Sequence, residues 1–216
     1  RRLFSKELLK ASTPLKVGHC AILFTDLTGS TALYTKAGDA AAFRLVDDHF
    51  DVLRKAIDAA GGTVVKTMGD AVMAAFLDPH TCLNASIACM RGFEAFRKTH
   101  RNGADTGLKL GFFAGPCYVV TANDTIDYFG QTVNCASRVQ HLAESGEIVM
   151  EESVWNDLAE SERSQLRLVS TIETRVKGVE HPLRLVKTTL VESMAAQSAG
   201  SDAGVILVRG EPAPIQ

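Results

Sequence analysis

Two apolar runs, TVVKTM (63–68) and AVMAAF (71–76), are separated by two residues, Gly69 and Asp70. A connection this short joins antiparallel strands in a hairpin, because a parallel crossover needs a dozen or more residues. On one side, about 39–60, apolar residues at three- and four-residue spacing predict a long helix. On the other side, Pro79 opens a second predicted helix that ends at about Lys98. The hairpin therefore favours an α+β fold with a largely antiparallel sheet over a doubly wound parallel one.

The remaining segments also alternate between strands and helices. Gly115 and Pro116 stand between two strand-like runs and predict a second hairpin there. The further predicted elements are strands at 20–24, 108–115, 117–122, 147–150, 166–170 and 183–190, and helices at 132–144 and 153–159. The order as a whole predicts one mixed domain in which helices flank the sheet.

Length and charge limit the classes of protein to consider. The 216 residues suffice for one large domain with a real core. The net charge is −2 and the Lys and Arg residues are scattered, so we expect no nucleic-acid partner. No run approaches the roughly 18 apolar residues of a membrane span. We expect a cytoplasmic domain, which a longer protein could still attach to a membrane.

The chain divides into three predicted parts. Residues 1–16 resemble the end of an amphipathic coupling helix, and the chain starts without Met, so we expect a regulatory or sensor domain upstream in a longer protein. Residues 17–190 hold the predicted domain. Residues 191–216 are a tail that starts with small and polar residues, with VILVRG (205–210) as one extra edge strand.

The cysteines and histidines show no metal-binding spacing. The five cysteines form no CxxC pair and lie mostly in apolar segments, which predicts buried free thiols in a reducing compartment. The six histidines lack the spacing of a zinc site, and we expect them at the surface or at helix caps.

Polar side chains interrupt or end apolar runs in three short stretches. Taken singly, each has an ordinary explanation, as a turn former, an outward-facing strand residue or a helix-surface residue. Together, three acids of which two could converge, two strong cations and an amide predict a nucleotide site with bound Mg²⁺ or Mn²⁺. The six residues are Asp26, Lys66, Asp70, Asp127, Asn134 and Arg138.

Two local patterns support a phosphate-binding role. The LTGST segment (27–31) follows a predicted strand and begins a helix, whose free N–H groups favour an anion, although no Walker A sequence is present. Asn134 and Arg138 are four residues apart on a predicted helix and therefore share one face. Arginine offers several donors to phosphate oxygens, and asparagine can hydrogen-bond a ribose.

The chain resembles the catalytic domain of class III nucleotidyl cyclases over about residues 17–190, and within that family the bacterial adenylate cyclases. FTDLTGST (24–31), VVKTMGDAVMAAF (64–76) and DYFGQTVNCASR (127–138) are similar to the three principal motifs in order and spacing. RVKGVEHPLRLV (175–186) is similar to the final hairpin. The resemblance implies a ferredoxin-like α+β core with a largely antiparallel sheet flanked by helices.

The resemblance also implies an activity and an assembly. The activity is an adenylate cyclase that converts ATP to 3′,5′-cyclic AMP and pyrophosphate with two divalent metal ions, Mg²⁺ or Mn²⁺. The assembly is a head-to-tail homodimer with two sites across its interface. Asp26, Leu27 and Asp70 would bind metal; Lys66, Asp127, Lys177, Thr28, Gly29, Ser30 and Thr31 would bind substrate; Asn134 and Arg138 would be catalytic.

The predicted base specificity follows from hydrogen-bonding groups. Adenine presents an acceptor at N1 and a donor at its 6-amino group, which Lys66 and Asp127 complement. Guanylate cyclases resemble this pattern with Glu in place of the Lys. Two departures from relatives concern the triphosphate: Pro116 stands where some carry Arg, and Phe113 where many carry His. The alternatives are a guanylate or other nucleotidyl cyclase, and a non-enzymatic nucleotide-binding regulatory module.

Overall fold

The computed structural model describes residues 16–122, 125–176, 179 and 181–191. The predicted coupling helix, the predicted extra strand in the tail and Lys177 lie outside these residues. No helix within them is long and apolar enough to cross a membrane. In chain order the elements are β1 (Lys16–Thr28), α1 (Ser30–Ala37), α2 (Asp39–Ala59), β2 (Thr63–Met68), β3 (Ala71–Phe76), α3 (Pro79–Thr99), β4 (Gly107–Ala122), β5 (Thr125–Phe129), α4 (Gln131–His141), β6 (Glu147–Glu151), α5 (Glu152–Asn156), α6 (Glu160–Arg163), β7 (Leu166–Thr174) and β8 (Leu183–Leu190).

The strands of the described residues form one eight-stranded sheet. Its order is β2-β3-β1-β4-β6-β8-β7. Strand β5 also pairs with β4, further along that strand than β6 does. The pairing of β4 with β6 is parallel, and the other pairings among the described strands are antiparallel. The predicted α+β class with a largely antiparallel sheet is therefore confirmed.

The predicted central hairpin is confirmed with the predicted bounds. Its strands β2 and β3 pair antiparallel, with a register shift between Val64 and Lys66. Gly69 has φ 63°, a left-handed conformation that glycine adopts without the strain of a side chain. Helices α2 and α3 flank the hairpin in sequence, as predicted.

The predicted hairpin at Gly115 and Pro116 is wrong, because β4 runs through both residues as one strand. Pro116 lies opposite His19 of β1, and its carbonyl accepts a hydrogen bond of 2.7 Å from the Thr132 hydroxyl of α4. The nitrogen and carbonyl of one strand residue point to the same side, so the Pro116 nitrogen faces away from β1. Strands β6 and β5 pair with β4 before and after this point, so the missing N–H interrupts no ladder.

The middle of β1 is buried on both faces, which explains why its sequence is continuously apolar. Ala21 and Leu23 pack in the larger core with α2 and α3. Cys20 and Ile22 point to the other face, into a second cluster that includes Ala136 of α4. Side chains of β1 therefore alternate between a face covered by α2 and α3 and a face covered by α4.

All five cysteines are buried and free, as predicted. The prediction for His49 is wrong, because its side chain is fully buried against Phe50 and Phe93 and its Nδ1 hydrogen-bonds the Val46 carbonyl. Burial lowers the pKa of His49, although the Val46 carbonyl and nearby Asp70 act in the opposite direction. His49 occupies the inward stripe of α2, where an apolar residue would ordinarily lie.

Helix α4 lies directly on β4, and Gly111 permits the approach. A Cβ atom at Gly111 would lie 2.4 Å from the Cα atom of Gln140 and 2.5 Å from its backbone nitrogen. Because both are backbone atoms, a side-chain rotation cannot relieve the clash. Gly111 thus sets the distance between the sheet and the helix that carries Asn134 and Arg138.

We predict that Gly111→Ala lowers the free energy of unfolding by about 1 to 3 kcal/mol, the usual cost of overpacking. The added methyl group must push α4 away from β4. Denaturant unfolding followed by circular dichroism measures the effect. Val169→Thr, a near-isosteric change at an exposed position of β7, is the control and should change stability by less than about 0.5 kcal/mol. An equal, small effect of both substitutions would contradict the close-approach argument.

Candidate active site

A cleft of about 330 Å³ opens where β1, the β2–β3 hairpin and α4 meet. Three of the residues predicted from the sequence line it: Asp26, Lys66 and Asn134. The full lining is Phe24, Thr25, Asp26, Lys66, Met68, Ala71, Met73, Val133, Asn134, Ser137, Gln140 and His141. Acidic, basic and amide side chains from distant parts of the chain thus share one wall with apolar residues, as in many ligand sites.

Asp26 forms an ion pair with Lys109 at the end of β1. The two residues face each other across the β1–β4 ladder, and Lys109 Nζ lies 2.8 Å from Asp26 Oδ2. Both side chains are partly buried, with 33% of Asp26 and 21% of Lys109 exposed. The ion pair holds the Asp26 carboxylate on the face of the sheet that α4 covers.

Lys109 is not among the site residues predicted from the sequence. The available signal is its position within LKLGFF (108–113), an apolar strand in which a lysine needs a partner for its charge. The identity of that partner depends on the register of β1 against β4, which residue spacing does not predict. The structure supplies it, because Asp26 is directly opposite.

Asp70 lies at the turn of the β2–β3 hairpin, at the same end of the sheet as Asp26. The backbone ladder between β1 and β3 reaches Phe24, which pairs with Met73, and both aspartates lie beyond this pair. Met68 and Ala71, on either side of the turn, line the cleft. Strands β1 and β3 are neighbours in the sheet, and they bring the two acidic positions to one end of it.

The donor chemistry at this end fits a hard divalent cation. Asp26 and Asp70 offer carboxylate oxygens, and Leu27 offers its backbone carbonyl next to Asp26. In the described ranges, no three His, Cys, Asp or Glu side chains are grouped so that they could hold a metal by themselves. An ion bound here would need further oxygens, which nucleotide phosphates and water can supply.

Lys66 and Asp127 form a bidentate ion pair within one chain. Lys66 Nζ lies 2.7 Å from Asp127 Oδ2 and 3.0 Å from Oδ1, and it sits 5.8 Å from the centre of the Phe129 ring. The backbone N–H of Tyr128 also donates to Asp127 Oδ1, at 2.8 Å. The pair joins β2 to β5, which are not neighbours in the sheet, and sets a donor beside an acceptor.

Helix α4 presents one side to the cleft. Asn134, Ser137 and His141 line it, at the three- and four-residue spacing of a single helix face. Arg138 is half-buried and lies outside the lining, four residues after Asn134. Burial raises the pKa of the neighbouring Cys135 thiol, and the positive charge of Arg138 opposes this shift. The predicted pair is thus carried by α4, with Asn134 directly at the cleft.

Ser137 and His141 are absent from the sequence-based predictions. The three- and four-residue spacing places them with Asn134, but which side of α4 is exposed depends on its packing. That packing is set by the contact of Gln140 with Gly111 of β4. Helix periodicity therefore groups Ser137 and His141 with Asn134, but the sequence does not show whether this face of α4 is exposed.

Thr28, Gly29, Ser30 and Thr31 span the junction between β1 and α1. Gly29 has φ 82°, and a Cβ atom there would lie 2.4 Å from the Asp105 carbonyl oxygen, so the turn requires glycine. No side-chain hydrogen bond caps the start of α1 in the described structure, and its first N–H groups lie just beyond Asp26. The Ser30 hydroxyl donates to the Leu27 carbonyl at 3.3 Å. These four residues are not part of the cleft lining.

The chain is similar to known proteins over most of its length. The chain matches the family model described as adenylate and guanylate cyclase catalytic domain over residues 13–191. It is 32% identical over 178 residues to an adenylate cyclase of Anabaena cylindrica, an alignment that covers 76% of this chain and 35% of that protein. The chain therefore spans about a third of the length of this relative.

Solved structures share the fold. The crystal structure of the adenylyl cyclase CyaB from P. aeruginosa matches with a TM-score of 0.62 and 24% identity, over 83% of this chain and 96% of that one. The guanylate cyclase domain of RhGC from Catenaria anguillulae, in complex with GTP, matches with a TM-score of 0.65 and 18% identity, over 82% and 100%. With the family match over most of its length, the chain belongs to the adenylate and guanylate cyclase catalytic domain family.

Proposed function

We propose that this domain is an adenylate cyclase that converts ATP into 3′,5′-cyclic AMP and pyrophosphate, in sites shared across a homodimer. The observation that carries the proposal is that one chain presents both sets of groups at one cleft, Asp26 at its acidic end and Asn134 with the Lys66–Asp127 pair beside it. Two chains arranged head to tail would then each complete the other's site. These groups supply metal-binding oxygens, a base-reading pair and an amide for the sugar. The identity to an adenylate cyclase of Anabaena cylindrica supports the same activity.

The acidic end of the cleft is the proposed metal site, and in the proposed dimer it serves the base-reading pair of the other chain. Two divalent ions, Mg²⁺ or Mn²⁺, held by Asp26, Asp70 and the Leu27 carbonyl would favour ionisation of the ribose 3′-hydroxyl and offset the phosphate charge. Lys109 of the neighbouring strand β4 holds the Asp26 carboxylate, with 2.8 Å between Lys109 Nζ and Asp26 Oδ2. The exposed third of Asp26 leaves oxygen surface for a ligand.

The proposed reaction is an in-line displacement at the α-phosphorus. The ribose 3′-hydroxyl gives up its proton to solvent water as its oxygen forms a bond to that phosphorus. The bond from the phosphorus to the pyrophosphate oxygen breaks, and pyrophosphate leaves. Asn134 orients the ribose, and Arg138 stabilises the negative charge that develops on the transferring phosphoryl group, an effect that commonly dominates such steps. The N–H groups of 28–31 at the start of α1 and Lys177 bind the triphosphate.

A second copy of the chain fits an exposed apolar row beside the base-reading pair. Val17, Tyr118 and Phe129 occupy paired positions across β1, β4 and β5, so their side chains point to the same face. They are 63%, 47% and 50% exposed. Lys66 lies over the Phe129 ring, so a partner that covers this row also approaches the Lys66–Asp127 pair. We propose that the partner's acidic end then completes the site.

We predict that the protein makes cyclic AMP from ATP with Mn²⁺ and that Asp70→Ala lowers the rate at least about 100-fold, because a metal-binding carboxylate is lost. Chromatography with mass detection identifies the product. Asp51→Ala removes a carboxylate from the exposed side of α2 and should leave the rate within about two-fold. Cyclic GMP from GTP as the sole product would overturn the choice of base, and full activity in Asp70→Ala would overturn the metal assignment.

We predict that kcat/KM for ATP exceeds that for GTP and that Lys66→Glu reverses or removes the preference, since Lys66 donates where adenine accepts. A mismatch of buried donors and acceptors can alter the ratio by about 100-fold or more. Initial rates with each nucleotide measure it. Lys55→Glu, the same charge change on the exposed side of α2, is the control and should preserve the ratio. An unchanged ratio in Lys66→Glu would contradict the base-reading role.

We predict that mixing Asp70→Ala protein with Arg138→Ala protein restores activity, because a mixed dimer has one site with both residues intact. At equal concentrations half of the dimers are mixed, and each holds one of two sites, so about a quarter of the wild-type rate is expected. Subunit exchange is monitored with differently tagged chains. Confirmed exchange without recovered activity would argue against sites across an interface.

A further inference from the structure

Thr25 is a buried polar residue in the wall of the cleft, with 1% of its surface exposed. Its hydroxyl oxygen accepts a hydrogen bond of 3.1 Å from the backbone N–H of Val72 in β3. It thus joins β1 to β3 through a side chain. Val72 is buried as well, so its N–H would lack water as an alternative partner.

This bond lies where the backbone ladder between the two strands stops. The ladder pairs Ala21 with Phe76 and continues to Phe24, which pairs with Met73. Thr25 and Val72 are the next residues on each strand. The Thr25 hydroxyl takes the N–H of Val72, so the connection between β1 and β3 extends one step further towards the turn.

Both acidic residues lie immediately beyond this bond. Asp26 follows Thr25 directly, and Asp70 is two residues before Val72. The path between the two acids through Thr25 and Val72 is therefore much shorter than the path along the chain. A change in the distance between Thr25 and Val72 would displace the two carboxylates relative to each other.

We propose that Thr25 is a positioning residue, whose hydroxyl sets the spacing between Asp26 and Asp70 and thereby the affinity of the site for divalent metal ions. The inference rests on the proposed function of the two acids as metal ligands. Groups that orient metal ligands from behind commonly change metal affinity by about 10- to 100-fold when removed. Threonine is needed at this position as an acceptor, and valine has the same shape without it.

The chain offers a matched control in Thr188 of β8. Its side chain is fully buried, and its hydroxyl donates to the Ile148 carbonyl of β6 at 3.1 Å. Thr25→Val and Thr188→Val therefore remove the same group from equally buried positions between neighbouring strands. Thr188 is not part of the cleft lining. A purely structural role for Thr25 would make the two variants behave alike.

The experiment measures Mn²⁺ affinity in the presence of α,β-methylene-ATP, which cannot release pyrophosphate, by titration calorimetry on the full chain. Thr25→Val should weaken Mn²⁺ binding by about 10-fold or more, and Thr25→Ser, which keeps the hydroxyl, should stay within about three-fold of wild type. Thr188→Val should lower the melting temperature about as much as Thr25→Val while Mn²⁺ affinity is unchanged. If Thr25→Val does not fold, Thr25→Ala provides the same comparison with Thr25→Ser.

Wild-type Mn²⁺ affinity in folded Thr25→Val or Thr25→Ala would overturn the inference, and so would an equal loss in Thr188→Val. Either result leaves the proposed adenylate cyclase activity intact, because Asp26 and Asp70 are unchanged. A wild-type chain that binds no Mn²⁺ with the analogue and makes no cyclic AMP would overturn the proposed function itself, and the inference with it. The two failures are therefore distinguishable.

Discussion

The pairing of β1 with β3 on one side and β4 on the other is the constraint on which the site depends. Because both faces of β1 are covered, its position is fixed by packing as well as by hydrogen bonds. Asp26 lies near its end, directly opposite Lys109 of β4 and one residue beyond the Thr25 bond to β3. The strand thereby carries a carboxylate out of a rigid core to the edge of an open cleft, as an ordered catalytic site requires.

The two charged side chains that line the cleft, Asp26 and Lys66, are each paired with an opposite charge. Asp26 contacts Lys109, and Lys66 contacts Asp127, each across different strands. Removing charged groups from water is costly unless a partner compensates, so these pairs allow the acids and lysines to lie half-buried at the cleft. They also fix side-chain conformations before a ligand arrives, which reduces the entropy lost on binding.

Local sequence patterns were sufficient for the parts of the fold that local physics determines. The hairpin at Gly69 and Asp70 has its predicted bounds, since a two-residue connection permits few alternatives. The continuity of β4 through Pro116 was not predictable, because it depends on the neighbouring strands. Proline is accommodated because neither β6 nor β5 pairs with β4 at this residue. Lys109 and Ser137 were missed for a similar reason: strand register and helix packing decide what they face, and neither follows from spacing along the chain.

The ion pair of Lys66 and Asp127 leaves room for a base without being broken. The Lys66 ammonium has three donors and is 39% exposed, so it can keep its contact with Asp127 and still donate to adenine N1. The Asp127 carboxylate has about four acceptor positions, and Lys66 and the Tyr128 N–H use three between them. In the proposed base-reading role, one position would remain for the 6-amino group of adenine. A pair already oriented in this way presents a donor and an acceptor in a fixed order that complements adenine. In guanine the O6 accepts and the N1–H donates, so guanine would need the donor and the acceptor in the opposite order.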